Sequence, residues 1–217
     1  MTMNYIQLLE RIHAARPEMD VYFEIGCRQG RSLTLSKARN SIGVDPAFNI
    51  TWPLASPTQL FKMTSDQFFN EHADKALSRP IDLAFIDGMH LSEFALRDFM
   101  NVERYCSSGS WIVIDDILPY KSDIASRTRN TQEWTGDVYK LTEILKVYRP
   151  DLKITVYDVE IKGLMLVSGL NPASTILDEH YEKIEREFIA VDDPVLSVSD
   201  MREIAQPVPP EAFSLVT

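Results

Sequence analysis

Near its start the chain reads Val21-Tyr22-Phe23-Glu24-Ile25-Gly26-Cys27-Arg28-Gln29-Gly30-Arg31-Ser32. A short apolar run ends at an acid, passes through two glycines and leads into residues that can begin a helix. A buried parallel strand delivers a ligand to the N-terminus of the following helix in this way. A second strand, at 42–44, ends at Asp45, whose carboxylate can accept hydrogen bonds from a ribose diol. The two strand ends predict a site for a small molecule that carries a nucleoside.

The glycine spacing argues against a dinucleotide. A dinucleotide fingerprint needs G-x-G-x-x-G, so that the backbone can approach a pyrophosphate. Here Gly26 and Gly30 give G-x-x-x-G, and Cys27 and Arg28 stand where a pyrophosphate loop needs small residues. Glu24 would also repel a pyrophosphate, whereas it suits a ligand that carries an amino group or a sulfonium. A plain strand–turn–helix of some other α/β domain remains the alternative at this stage.

Composition indicates a globular protein of one domain, or one domain with an appendage. The chain has 217 residues, 45% of them hydrophobic and 25% charged. Its net charge of −10 disfavours a nucleic acid or an anionic membrane surface as a partner. Cys27 and Cys106 make no disulfide framework, which favours a reducing compartment. Residues 1–16 do not resemble a signal peptide, and no run approaches the roughly 20 apolar residues of a membrane span. We therefore expect a cytoplasmic protein.

Apolar strands alternate with amphipathic segments along most of the chain. This alternation predicts an α/β fold with a doubly wound, mostly parallel sheet. The predicted strands are 21–25, 41–44, 60–63, 81–86 and 111–114. The predicted helices are 5–15, 31–39, 67–76, 91–105, 136–148 and 174–189. Two late strands, 153–156 and 164–167, are expected to pair as an antiparallel C-terminal hairpin.

Three segments follow from this pattern. Residues 1–20 form an N-terminal helix, 21–170 a cofactor-binding catalytic domain, and 171–217 a C-terminal helix with an extended or partly disordered tail from Asp192 onwards. The polar loop 118–134 is long for a compact domain, and such loops are usually functional or mobile. Its Arg127 or Arg129 could contact an acidic group of a substrate.

Acidic residues follow the fourth and fifth strands at the points where the strands end. Asp87 follows the fourth strand, and Asp115 and Asp116 follow the fifth, which we expect to be its neighbour in the sheet. Three carboxylates at one edge repel one another unless a cation neutralises them. A hard divalent cation with oxygen ligands, Mg²⁺ most readily, suits this set. The alternative is that these acids cap a helix or fix a turn.

His90 stands three residues after Asp87, where the fourth strand turns into its helix. An imidazole with a pKa near 6.5 can accept a proton from a hydroxyl whose own pKa is lowered by a bound metal. The alternative is a histidine that caps the helix or faces solvent. His13, His72 and His180 have no comparable neighbours, and we interpret them as surface residues.

Two motifs carry a resemblance to a known family. The pattern E-I-G-x-x-x-G-x-S at 24–32, with Gly43-Val44-Asp45 after it, resembles the cofactor loop of class I S-adenosylmethionine-dependent methyltransferases. Phe85-Ile86-Asp87-Gly88-Met89-His90, Asp98 and Ile114-Asp115-Asp116 resemble the metal-dependent O-methyltransferases that act on sugars and small hydroxylated molecules. The segment 134–140 is similar to a motif of bacterial relatives. The resemblance covers about two thirds of the chain, from 23 to 167.

The resemblance implies a Rossmann-like methyltransferase fold and a role for each matching residue. Its cofactor would be S-adenosylmethionine, with Mg²⁺ as a metal and a small molecule or saccharide as the methyl acceptor. The implied cofactor-binding residues are Glu24, Gly26, Gly30, Ser32, Asp45, Ser65, Asp66 and Asp87. The implied metal ligands are Asp87, Asp115 and Asp116, and the implied catalytic residues are His90, as general base, and Asp87.

Other functions stay open beside this one. A metal-independent methyltransferase would use His90 alone as the base. A catalytically silent subunit would keep the nucleoside pocket for regulation or assembly. A nicotinamide dehydrogenase is the least expected function because of the glycine spacing. Nothing in the sequence decides between a monomer and a homo-oligomer.

Overall fold

The structure, a computed structural model, describes residues 3–190 and 195–214. Within these residues, seven strands form one sheet in the order β3-β2-β1-β4-β5-β7-β6. Their bounds are β1 Val21–Ile25, β2 Asn40–Val44, β3 Thr58–Phe61, β4 Ile81–Ile86, β5 Cys106–Asp115, β6 Lys153–Tyr157 and β7 Leu164–Ser168. The first five strands run parallel, and β7 joins β5 and β6 by antiparallel pairing. The predicted doubly wound sheet with a C-terminal hairpin is confirmed.

The α-helices are α1 Tyr5–Ala14, α2 Ser65–Glu71, α3 Ala73–Ala76, α4 Ser92–Arg104, α5 Lys140–Tyr148, α6 Ile176–Ile184 and α7 Val198–Ala205. Helix α1 begins with a capping box between Asn4 and Gln7, and α2 with one between Thr64 and Gln67. Such reciprocal bonds satisfy N–H groups that have no partner within the helix. A π-helical turn, Glu185–Ile189, continues α6. No helix in the described parts of the chain has the length and apolar character of a membrane span.

Both faces of the sheet are covered by apolar side chains. On one face, Phe23, Ile25 and Ile86 share a core with residues of α4 and α5. On the other face, Tyr22 and Phe85 pack with residues of α1. Because parallel strands covered on both sides bury all their side chains, β1 reads as a continuous run without polar alternation. The sheet therefore forms a rigid base whose carboxyl edge is left for ligands.

The helix predicted at 31–39 is wrong, because the chain forms a single 3₁₀ turn at Leu33–Leu35. Ser36 then adopts an extended backbone. Its hydroxyl accepts hydrogen bonds from the backbone N–H of Ala38 and from the hydroxyl of Ser41. Serine side chains that bond local backbone groups in this way compete with helix formation. The glycine turn is thus followed by one tight turn rather than by the expected helix.

Other boundaries also differ from the predictions. Strand β5 begins at Cys106 rather than at 111, and the helix predicted at 67–76 is divided at His72 into α2 and α3. Two further differences have a local cause. Strand β3 lies two residues earlier than predicted, because residues 63 and 64 lead into the capped start of α2. Helix α5 begins at Lys140 rather than at 136, because Gly136 has a left-handed backbone with φ +56°. That conformation ends regular helix geometry and strongly favours glycine.

The tail is more ordered than predicted. Residues 198–205 form helix α7, which begins with a capping box between Ser197 and Asp200. Val208 makes a single parallel bridge to Tyr157 at the end of β6. The prediction of an extended or disordered arm is therefore wrong for this segment. Asp192 and Pro194, which belong to the predicted tail, lie outside the described residues.

Candidate active site

A cavity of about 1170 Å³ opens at the carboxyl edge of the parallel strands. Ligand pockets usually measure roughly 300–1,000 Å³, so this one has room for more than one small molecule. Its walls include residues that follow β1, β2, β4 and β5, together with residues of the 118–134 loop and the β6–β7 hairpin. Predicted site residues on its surface are Gly26, Asp45, Ser65, Asp66, Asp87, His90 and Asp115.

Gly26 lets the ends of β1 and β4 approach each other. Its φ is +87°, and a Cβ atom placed there would lie 1.8 Å from the carbonyl oxygen of Asp87. No residue with a side chain fits at that separation. The register places Ile25 beside Ile86, and Ile86 beside Ile114. The residues that follow these three strands therefore meet at one edge.

Backbone N–H groups of two segments hold the Asp45 carboxylate at the cavity wall. Its carboxylate accepts hydrogen bonds from the N–H groups of Arg28, at 2.8 Å, and Ala47, at 2.6 Å. Each carboxylate oxygen can accept more than one hydrogen bond. Asp45 thus keeps acceptor capacity toward the cavity while its orientation is set.

Three of the predicted cofactor residues lie behind the cavity wall. Glu24 is fully buried and accepts hydrogen bonds from the Tyr22 hydroxyl, at 2.6 Å, and the Ser32 hydroxyl, at 2.7 Å. Burial raises the pKa of Glu24 to about 8, although both hydroxyls favour the charged form. Gly30 packs against the side chain of Ile50. Glu24, Gly30 and Ser32 therefore shape the glycine turn from within, and direct contact with a cofactor stays a prediction for them.

The start of α2 supplies the wall next to Asp45. The carboxylate of Asp66 is held by Arg97 in a bidentate pair, with distances of 3.2 and 2.8 Å. Asp98 also lines the cavity. Burial raises the pKa of its carboxyl to about 7, although a hydrogen bond from Ser65 acts to lower that pKa. Ser65 and Asp66 thus line the cavity near Asp45, with Asp66 already paired, and contact with an adenine stays a prediction for them.

At the ends of β4 and β5, acidic and basic side chains form an ion-pair chain. The Nε2 atom of His90 lies 3.3 Å from Oδ1 of Asp87, and its Nδ1 atom lies 2.7 Å from Oδ2 of Asp116. Oδ1 of Asp116 lies 3.0 Å from Nζ of Lys162. One donor atom each from Asp87, His90 and Asp116 lie within 4.8 Å of one another, which suits a single metal ion.

Asp115, the third predicted metal ligand, is not part of that close group of donor atoms. It is buried, and its Oδ1 atom has no hydrogen-bond partner among residues 3–190 and 195–214. Burial, followed by the charges of Asp116 and Asp87, raises the pKa of Asp115 well above its usual range. A buried carboxylate oxygen without a donor is a group that a hard cation would satisfy. The oxygen and imidazole donors present thus fit a divalent metal.

His90 is held in an uncommon conformation. Its φ is +52°, and Gly136 packs so closely that a Cβ atom there would lie 1.6 Å from the carbonyl oxygen of His90. Burial alone would lower the pKa of His90, but hydrogen bonds and charges from Asp116 and Asp87 outweigh it and raise the pKa to about 10. Without a further cation at this edge, the imidazole is therefore protonated at neutral pH.

The segment 134–137 holds His90 and the start of α4 together. Trp134 stacks on the imidazole and places its carbonyl oxygen 2.8 Å from Nδ1. Asp137 caps α4 by accepting hydrogen bonds from the backbone N–H and the hydroxyl of Ser92, both at 2.9 Å. Arg127 pairs with Asp137 and Glu93. Residues of the 134–140 motif thus hold His90 and the start of α4 in place, a role that the sequence alone did not indicate.

Two cavity residues were missed by sequence reasoning. Tyr5, from α1, lines the cavity, and burial together with the charges of Asp115 and Asp87 raises its pKa to about 12. Lys162 reaches the acidic edge from the β6–β7 hairpin. Both come from elements that are distant in sequence from the strand ends, so no local motif marked them.

One expectation about a single side chain is wrong. His13 was expected at the surface and is instead buried against Tyr22, with ring centroids 4.7 Å apart. Helix α1 places it on the same face as its apolar residues, which explains the difference. Of the two loop arginines, Arg129 lines the cavity.

Comparison with known proteins shows what this chain is similar to. Residues 23–117 match the family model described as a methyltransferase domain. The predicted resemblance to the class I S-adenosylmethionine-dependent methyltransferases is thereby confirmed. The chain is also 31% identical over 122 residues to the uncharacterized protein R132 of Acanthamoeba polyphaga mimivirus. That match covers 46% of this chain and 52% of R132, so the chain spans about half the length of its curated relative.

Solved structures support the fold at low sequence identity. The O-methyltransferase TomG from Streptomyces achromogenes, in complex with SAM, is 15% identical with a TM-score of 0.57, covering 76% of this chain and 79% of TomG. An O-methyltransferase from Bacillus cereus, in complex with SAH, is 13% identical with a TM-score of 0.55, covering 75% and 79%. MycE from the mycinamycin pathway, in complex with Mg and SAH, is 16% identical with a TM-score of 0.52, covering 75% of this chain and 48% of MycE.

Proposed function

We propose that this chain is an S-adenosylmethionine-dependent O-methyltransferase acting on a hydroxyl of a small molecule or saccharide. The observation that carries the proposal is that Asp45, an acid placed to bind a ribose, lines the same cavity as Asp87 and His90. His90 in turn pairs with Asp87 and with the buried Asp116 behind it. The methyltransferase-domain match and the methyltransferase structures with bound SAM or SAH support it.

In this proposal the cofactor lies along the ends of β1 and β2. Asp45 accepts hydrogen bonds from the ribose hydroxyls, and the start of α2 at Ser65 lies beside the adenine. Gly26, whose missing side chain lets the backbone of Asp87 approach β1, would lie beside the methionine part. Asp87, at the end of β4, would then be the carboxylate beside the methyl-donating sulfonium. Such a carboxylate favours a positively charged sulfur.

The acceptor lies over the ends of β4 and β5. Asp87, Asp115 and Asp116 are the residues that would hold Mg²⁺, whose positive charge would lower the pKa of an acceptor hydroxyl. Neutralising Asp87 and Asp116 also removes the charges that keep His90 protonated. His90 can then accept the proton of the hydroxyl at Nε2, the ring nitrogen that lies 3.3 Å from Oδ1 of Asp87. The stacked Trp134 keeps the imidazole in place during this transfer.

Transfer of a labelled methyl group tests the proposal. The wild type would be incubated with [methyl-³H]S-adenosylmethionine and a panel of vicinal diols, catechols and sugars, with Mg²⁺ or with EDTA. We expect label on oxygen with Mg²⁺ and a loss of about 10²–10⁴-fold in His90→Gln, as is typical when a general base is removed. Binding of S-adenosylhomocysteine should stay within a few-fold in that variant.

A second candidate is a metal-independent methyltransferase. It is favoured by the ion pair of Lys162 with Asp116, which supplies a cation to the acidic edge without a metal. Full activity in EDTA would select this candidate. Tight cofactor binding with no transfer to any acceptor would instead favour a silent cofactor-binding subunit and contradict the proposed activity.

A further inference from the structure

We propose that Lys162 is an internal competitor of the divalent cation, and that the metal binds only when the Lys162 ammonium leaves Asp116. This inference rests on the proposed function, since it concerns the metal edge of that site. It adds a residue from the β6–β7 hairpin that sets how tightly the edge binds a metal.

The geometry places the ammonium on a prospective ligand atom. Nζ of Lys162 lies 3.0 Å from Oδ1 of Asp116, whose side chain is only 2% exposed. The other oxygen of Asp116 faces His90 at 2.7 Å. Each oxygen of this carboxylate therefore lies within 3.0 Å of a nitrogen atom, and a metal that uses Oδ1 would lie beside the Lys162 ammonium. His90 is fixed by Trp134 and by its own backbone, whereas a lysine side chain is long and flexible.

The backbone of the hairpin fixes the starting point of that side chain. The carbonyl oxygen of Lys162 accepts a hydrogen bond from the N–H of Leu118 at 2.6 Å. Gly163, with φ +67°, packs so closely that a Cβ atom there would lie 2.3 Å from Cβ of Leu118. Leu118 is two residues beyond Asp116, so the Lys162 backbone is tied to the end of β5. Only the side chain can move, and it opens into the cavity.

Because both are positively charged, the Lys162 ammonium and a divalent cation exclude each other from the Asp116 carboxylate. Asp87 and Asp116 supply negative charge at this edge, which attracts the lysine ammonium and a divalent cation alike. A divalent cation on Asp116 and an ammonium 3 Å from the same carboxylate would repel each other in a partly desolvated site. Release of Lys162 therefore accompanies metal binding and weakens it.

Titration with MnCl₂, followed by calorimetry and by the EPR signal of free Mn²⁺, tests the inference. Lys162→Met removes the charge and keeps the length of the stem. We expect it to bind Mn²⁺ at least about tenfold more tightly than the wild type, because the competing charge is gone. Lys162→Arg should stay close to the wild type. Lys121→Met, which removes an exposed lysine of the same cavity, is the matched control and should change the affinity by less than about twofold.

Two outcomes would overturn the inference. One is an unchanged or weaker affinity in Lys162→Met, and the other is an absence of Mn²⁺ binding in the wild type and in Lys162→Met alike. The melting temperature of each variant confirms that it is folded. A parallel titration with S-adenosylhomocysteine reports on the proposed function separately. Its failure would remove the methyltransferase assignment and leave the Mn²⁺ result for Lys162 standing.

Discussion

The indole of Trp134 lies nearly parallel to the imidazole of His90, with ring centroids 5.4 Å apart and an angle of 12° between the planes. The carbonyl oxygen of Trp134 also lies 2.8 Å from Nδ1 of His90. One residue of the loop thus fixes both the plane and the tilt of the proposed base. His90 precedes α4 and has a left-handed backbone, and this support comes from a different segment of the chain.

Trp134→Ala should lower the rate of methyl transfer, since a loosely held base spends less time in the productive geometry. We expect a loss of about 10- to 100-fold, with little change in S-adenosylhomocysteine affinity. Trp134→Phe keeps an aromatic face and should retain most of the rate. Single-turnover transfer from labelled cofactor measures the effect. Equal rates in Trp134→Ala and the wild type would show that the stacking does not position His90.

Gly136→Ala should destabilise the fold. The added Cβ atom would lie 1.6 Å from the carbonyl oxygen of His90, on a backbone with φ +56°. We expect a loss of at least about 2 kcal/mol, or roughly 4–8 °C in melting temperature for a chain of this size. Gly109→Ala is the matched control, because its Cβ would meet only Ser107 Oγ at 3.8 Å. Similar melting temperatures for the two variants would contradict this account.

His13 should make the fold sensitive to acid. Burial lowers its pKa from 6.5 to about 4, and neither ring nitrogen has a hydrogen-bond partner within the described ranges. Between these pH values the unfolded chain binds the proton and the folded chain does not, so stability falls as the pH falls from 6.5 toward 4. Between pH 7 and 4.5, the free energy of unfolding should fall by roughly 2–3 kcal/mol less in His13→Phe than in the wild type. Urea unfolding at several pH values measures it, and parallel curves for both proteins would refute the prediction.

Glu24 should make the fold less stable as the pH rises, which is the opposite of the effect expected for His13. Its pKa is raised from 4.5 to about 8, chiefly by burial, so the folded chain holds a proton that the unfolded chain has lost. Stability is greatest below pH 4.5 for this group and falls as the pH rises through 8. In Glu24→Gln this decline should be smaller by a few kcal/mol, on the order of 2–4. A wild-type stability curve that rises as steeply as that of the variant between pH 5 and 8 would contradict the assigned cause.

Much of the candidate site could be predicted from the points in the sequence where the strands end. Hydrophobic runs located β1 and β4 to the residue, and parallel strands bring their carboxyl ends to one edge. Asp45 and Asp87 could therefore be placed together before any coordinates. The sequence pattern predicted a helix at 31–39 that does not form, because the Ser36 side chain bonds nearby groups of the chain.

Side-chain direction and distant partners were beyond this reasoning. Glu24 stands at the expected strand end but turns into the core, because Tyr22 and Ser32 supply hydroxyl donors there. Lys162 reaches Asp116 through the pairing of β7 with β5, a contact between residues 46 apart in sequence. Neither relationship leaves a pattern within a short window of sequence.

Calorimetric titration with S-adenosylhomocysteine tests the central claim most directly. We predict one binding site per chain in the wild type and at least about tenfold weaker binding in Asp45→Ala, since the ribose would lose its charged acceptor. Asp178→Ala, which removes an exposed carboxylate paired with Arg104, is the control and should bind like the wild type. An absence of binding in the wild type would contradict the nucleoside site, and equal affinities in all three proteins would contradict the role of Asp45.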